Sequence, residues 1–170
     1  MEALLQLAAI IGAELKTRGE TVAIAESASG GLLSAALLAV PGASAYFLGG
    51  AVVYSRRGRR VLLDIADRQV LGLRAETEPF ALLMARTSLT RFGASWALAE
   101  TGAAGPTGSP YGDPPGRSCL AVAGRIERTT TIETGRAERF ANMQEFAVAA
   151  LRLLLDAMAD MPAAVGAPSL

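Results

Sequence analysis

Residues 21–39 read TVAIAESASGGLLSAALLA, and the hydrophobic period changes in the middle of the stretch. TVAIA is an apolar run of strand length, whereas LLSAALLA repeats leucine and alanine at helical spacing. Between them sit Glu26, Ser27, Ala28, Ser29, Gly30 and Gly31. A strand that passes through a short polar turn into a helix is half of a βαβ unit, and it constrains the fold more than any other feature here. The pattern continues along the chain. Helical spacing covers residues 1–18, 29–40, 56–63, 77–92 and 138–159. Strand-like runs cover 21–25, 45–54 and 96–100, and a late strand pair covers 119–124 and 129–134. Alternating elements imply helices on both faces of a sheet. The expected class is therefore α/β: a three-layer α/β/α sandwich with a mixed, mostly parallel sheet. The late pair implies at least one antiparallel member.

Local punctuation agrees with these bounds. Gly19 closes the first helix, and Pro41 and Gly42 close the second. Thr77, Glu78 and Pro79 supply a capping hydroxyl, an acidic first turn and an early proline. Gly49 and Gly50 inside a strand imply a bulge or a close backbone approach. The 170 residues suit one domain, read as 1–160, followed by a flexible tail at 161–170.

Composition removes several chemistries. There is no histidine, so no His-based triad and no His metal ligand can form. Cys119 is the only cysteine, which excludes an intramolecular disulfide and a Cys-rich zinc site. Lys16 is the only lysine among 16 basic residues, and 16 acidic residues balance them. Zero net charge gives no reason to expect a nucleic-acid or membrane partner. No leader segment and no long apolar run is read, so a soluble cytoplasmic protein is expected. No cofactor or metal is expected.

Three segments after strands carry possible chemistry. In AESASGG, residues 25–31, backbone N–H groups at a helix start favour an anion, and glycine allows close approach. Ser27 is either a nucleophile held at a sharp turn or a plain capping serine. The 16-residue stretch TGAAGPTGSPYGDPPG, residues 101–116, is unusually long for a loop in a compact domain. Loops beyond the carboxyl ends of strands are where α/β proteins bind ligands, so both loops are expected to line one pocket. YSRRGRR, residues 54–60, offers four arginines, either for bidentate phosphate binding or as a solvated helix face. Arg136 and Arg139 near the last helix start oppose its dipole, which a bound anion would offset.

Taken together, AESASGG, PGASAYF, YSRRGRR, GAAGP, DPPG and TGRAER at these intervals resemble the CinA C-terminal domain family. The family includes stand-alone nicotinamide-nucleotide amidohydrolases, and the resemblance covers residues 1–160. It implies hydrolysis of the carboxamide of nicotinamide mononucleotide to the acid and ammonia. It also implies a three-layer fold and a homo-oligomer. Its serine nucleophile falls on Ser27, its tyrosine on Tyr54 and its catalytic lysine on Arg59. Substrate and phosphate contacts fall on Ser29, Gly30, Gly31, Gly102, Ala103 and Gly105, with Arg136 or Arg139 as the phosphate arginine. Arg59 departs from the pattern in a way that matters. A guanidinium does not deprotonate in proteins, so Arg59 can hold an anion but cannot be the base. Substitute bases are then carboxylates such as Glu26, or Tyr54. Asp113, where the family has lysine, is expected to repel a phosphate, and Ala28 replaces a cysteine. The implied activity is accordingly weakened or lost. The alternative is a non-catalytic nucleotide-binding relative or an interaction protein.

Overall fold

The computed structural model describes residues 1–161. The expected tail therefore lies, from residue 162 on, outside the described residues. The strands are β1 (Val22–Glu26), β2 (Phe47–Val52), β3 (Trp96–Ala103), β4 (Arg117–Ala123) and β5 (Arg128–Glu133). The helices are α1 (Glu2–Arg18), α2 (Leu32–Leu38), α3 (Arg56–Leu63), α4 (Glu78–Phe92) and α5 (Arg139–Ala159). The sheet order is β2-β1-β3-β4-β5. β1 pairs in parallel with β2 and β3, while the β3–β4 and β4–β5 pairs are antiparallel. Only β4 thus runs against the other four strands. The register between β1 and β2 shifts between Val22 and Ala23, next to Gly49, as the glycine pair suggested.

The sheet's two faces carry residues of different size, because side chains alternate along each strand. Val22, Ile24, Trp96, Leu98, Leu120 and Val122 point to one face, where α1, α2 and α5 bring Leu4, Ile11, Leu15, Leu33, Leu37 and Leu151. The opposite face is paved with Ala25, Ala97, Ala99, Ala121 and Ala123. Phe80, Ala81, Met84 and Ala85 of α4 and Leu63 of α3 pack there. A small-residue face lets a helix backbone come close without side chains to interleave.

Two boundaries differ by three residues from those expected. α2 begins at Leu32 rather than residue 29, because Gly30 and Gly31 adopt φ 67° and 100° and cannot propagate a right-handed helix. β3 continues to Ala103, three residues past the expected end, so the long loop starts later. Thr77 does occupy the α4 N-cap, but its hydroxyl donates to Arg74 O at 2.7 Å instead of capping.

Candidate active site

Strand ends β1, β2 and β3 all stop on the same edge, as parallel strands must. The turns that follow them build a cleft of two lobes. The larger encloses about 480 Å³ and is lined by Val53, Arg59, Leu71, Leu73, Phe80 and Thr101, among others. The smaller, about 280 Å³, is lined by Ala28, Gly102, Ala103, Gly105, Gly108 and Arg139, among others. Ser27, Tyr54, Glu76 and Pro110 border both lobes and so mark their junction. Ser27 and Ala28 of the first Gly-rich turn meet the second turn here, whereas the rest of the first turn does not reach the cleft. Volumes of this order suit a small organic ligand.

The turn after β1 does cradle anions, but they belong to the chain. Glu26 is fully buried and accepts five hydrogen bonds. Its Oε2 takes Ser29 Oγ, Gly31 N and Leu33 N at 2.8–3.1 Å, and its Oε1 takes Ser34 N and Oγ. Glu100 of β3, also fully buried, accepts Ser27 N at 3.1 Å and Ser29 N at 2.8 Å on Oε2, and Ser118 Oγ on Oε1. Burial pushes the Glu100 carboxyl above the usual range, against the pull of these hydrogen bonds. The donors expected to hold a phosphate are therefore occupied. Ser29, Gly30 and Gly31 line neither lobe; they fix the turn that presents Ser27. Glu26, expected as a substitute base, has no free lone-pair direction toward the cleft. The role of Glu100 was not visible in sequence, because it lies 73 residues from Ser27.

Ser27 is partly buried, and among the described residues its hydroxyl has no hydrogen-bond partner. Tyr54 is 66% exposed, and its hydroxyl accepts from Arg139 Nη2 at 2.9 Å. Arg139 Nη1 donates to Gly105 O at 2.7 Å, so this side chain spans the mouth of the smaller lobe. Arg136 instead reaches Glu145 at 3.5 Å and lines neither lobe. Arg59 is 7% exposed, faces the larger lobe and pairs with Asp67; its Nε has no partner. Asp113 does not project its charge into the cleft. Arg74 holds it through both guanidinium nitrogens, at 2.5 and 3.2 Å, and keeps its carboxyl below the usual range. Lys16 lies elsewhere, against Pro41 O.

Glu76 is the residue that sequence reasoning missed. Its backbone sits at φ 59°, a region unusual for a side chain larger than glycine's. Arg117 Nη1 at 2.9 Å and Cys119 Sγ at 3.3 Å hold its carbonyl. Its Oε2 is buried without a partner. No cluster of three or more metal-ligating side chains exists among the described residues, and no helix there is long and apolar enough to cross a membrane.

The family model for the CinA C-terminal domain matches residues 4–158. The chain belongs to this family. A CinA-like protein of Synechococcus sp. (strain CC9902) is 43% identical over 119 residues, covering 70% of this chain and 28% of its own length. A CinA-like protein of Chlorobium phaeobacteroides (strain BS1) is 37% identical over 160 residues, covering 91% and 38%. This CinA domain thus spans well under half the length of the curated relatives it matches. Solved structures match it nearly end to end. The competence damage-inducible protein A from Klebsiella pneumoniae superposes with TM-score 0.87 at 28% identity, over 94% of this chain and 99% of that one. The competence/damage-inducible protein CihA from Agrobacterium tumefaciens gives 0.84 at 30%, over 91% and 94%.

Proposed function

We propose that the cleft binds a nicotinamide-mononucleotide-like compound and hydrolyses its carboxamide slowly, with Ser27 as nucleophile. The convergence of Ser27 and Tyr54 at the junction of the two lobes, with Arg59 and Arg139 facing one lobe each, carries this reading. Each lobe suits one end of such a ligand. The apolar walls of the larger lobe, Leu71, Leu73 and Phe80, suit a flat ring. The glycines and Arg139 of the smaller lobe suit a phosphate. The carboxamide then lies at Ser27. Arg59 replaces a lysine, so the proton transfer that lysine supplies in the family pattern is missing. General-base help of that kind is typically worth about 10²–10⁴-fold.

Ammonia release from nicotinamide mononucleotide, measured beside calorimetric binding, tests the reading. The expected result is binding with turnover well below an ordinary kcat of about 10 s⁻¹. Binding without any ammonia would make the domain a non-catalytic nucleotide binder. Absence of both would refute the assignment.

A further inference from the structure

Slow hydrolysis still needs a group that can take a proton from Ser27. Glu26 and Glu100 are filled by backbone and hydroxyl donors. Asp67 is engaged by Arg59 and Arg60, and Asp113 by Arg74. Lys16 is held at Pro41 O, away from the cleft. Tyr54 has its oxygen occupied by Arg139. Glu76 remains: it borders both lobes, as Ser27 does, with Oε2 buried and without a hydrogen-bond partner.

We infer that Glu76 is the general base of this cleft, receiving the Ser27 hydroxyl proton and passing it to the leaving nitrogen. The assignment rests on the amide-hydrolysis reading given above. Ser27 Oγ bonds to the carboxamide carbon as its proton moves to Glu76 Oε2. The C–N bond then breaks, and that proton leaves with the nitrogen as ammonia. Water next attacks the acyl ester and gives a proton to Glu76. Glu76 returns it to Ser27 Oγ as the ester bond breaks, and the acid departs. Both side chains end as they began.

The surroundings fit the role. Burial raises the Glu76 carboxyl above its usual range, and Asp113 adds to the rise. Ser109, Arg74 and Arg117 oppose it. Tyr54, Arg59 and Arg139 line the same cleft. A carboxylate moved toward neutral pH is a better base than an ordinary one. The left-handed backbone at φ 59° is held by bonds to its carbonyl, as expected where a fold spends strain on placing a side chain.

The test uses a fluorophosphonate probe, which labels an activated serine without requiring the natural substrate. Ser27 labelling, located by mass spectrometry, is followed from pH 4 to pH 9 in the wild type, Glu76→Gln and Glu76→Gly. The expected wild-type rate falls on the acid side, because the base must be unprotonated. Glu76→Gln should label about 100-fold more slowly or worse and lose the acid limb. Formate should partly restore labelling in Glu76→Gly, whose backbone suits the left-handed turn. Circular dichroism checks that both variants are folded. This pattern supports Glu76 even if nicotinamide mononucleotide releases no ammonia, an outcome that would retire the substrate reading alone. Glu76→Gln labelling within about threefold of wild type, or a wild-type Ser27 that never labels, overturns the inference.

Discussion

Replacing Glu26 by glutamine changes two oxygens to one oxygen and an amide, in a place where only donors face it. With the amide oxygen in the Oε2 position, Ser34 N loses its 3.0 Å acceptor. With it in the Oε1 position, Gly31 N and Leu33 N lose theirs. Either way the new NH2 group points at backbone N–H. Glu26 is fully buried, so water cannot stand in. One or two stranded donors, each costing about 1–3 kcal/mol, give an expected loss of about 1–6 kcal/mol, with about 3 kcal/mol as its centre. A competing effect is relief of repulsion from Glu100. Burial already pushes that carboxyl toward its neutral form, so the relief is the smaller effect. Against a typical total of about 5–15 kcal/mol the loss is large. In urea, with a slope of about 1–3 kcal/mol/M, the midpoint should fall by about 1–2 M at an unchanged slope. A midpoint within about 0.3 M of wild type, or above it, would show that α2 does not depend on this carboxylate.

Glu76→Gln should raise the melting temperature at pH 8 by about 2–4 °C, the span of about 1 kcal/mol in a domain this size. Its carboxyl is raised in the folded state, so the penalty is absent below the unfolded value and present once pH exceeds the folded one. The difference should therefore vanish near pH 4; a constant difference across pH would contradict the cause given. Ala99→Leu, buried under α4, should cost about 1–3 kcal/mol by overpacking, read from the urea midpoint, and a neutral result would mean that α4 can lift away. Arg59→Lys should raise ammonia release from nicotinamide mononucleotide about ten- to a thousand-fold, and Ser27→Ala in that background should abolish the gain. An unchanged rate in Arg59→Lys would show that the missing lysine does not limit turnover. Arg139→Ala should raise KM, since it removes the charge at the mouth of the smaller lobe together with the hydrogen bonds to Gly105 O and Tyr54, and an unchanged KM would contradict a phosphate in that lobe.

The βα turn at Ser27 was legible because the hydrophobic period changes from strand to helix across six residues. The order of elements followed from the same signal. The partners of that turn were not legible, since Glu100 and Ser118 reach it from elsewhere in the sheet. An Asp113 read alone looks like a repulsive charge; Arg74, 39 residues away, pairs with it. Arg136 and Arg139 are indistinguishable on a string of letters. Only the loop geometry before α5 sends one to Gly105 and the other to Glu145. Glu76 left only a faint trace, an acidic residue just before a helix cap. Its importance comes from a backbone angle and an unpaired oxygen.

The alanine face beneath α4 has a consequence for entropy. Alanine has no rotamers to lose, so the sheet side of this half is ordered at almost no side-chain entropy cost. The opposite half, built on leucine and isoleucine, gives up about 0.5–1 kcal/mol of rotamer freedom at each such side chain. That half can absorb a substitution by choosing other rotamers. The alanine face has none to choose, so an added atom there must displace Phe80, Met84 or Leu63 opposite it or move a backbone. Phe80 and Thr101, which wall the larger lobe, stand at the end of that rigid layer. That stretch of the cleft wall is therefore the part least able to adjust to a new sequence over evolutionary time.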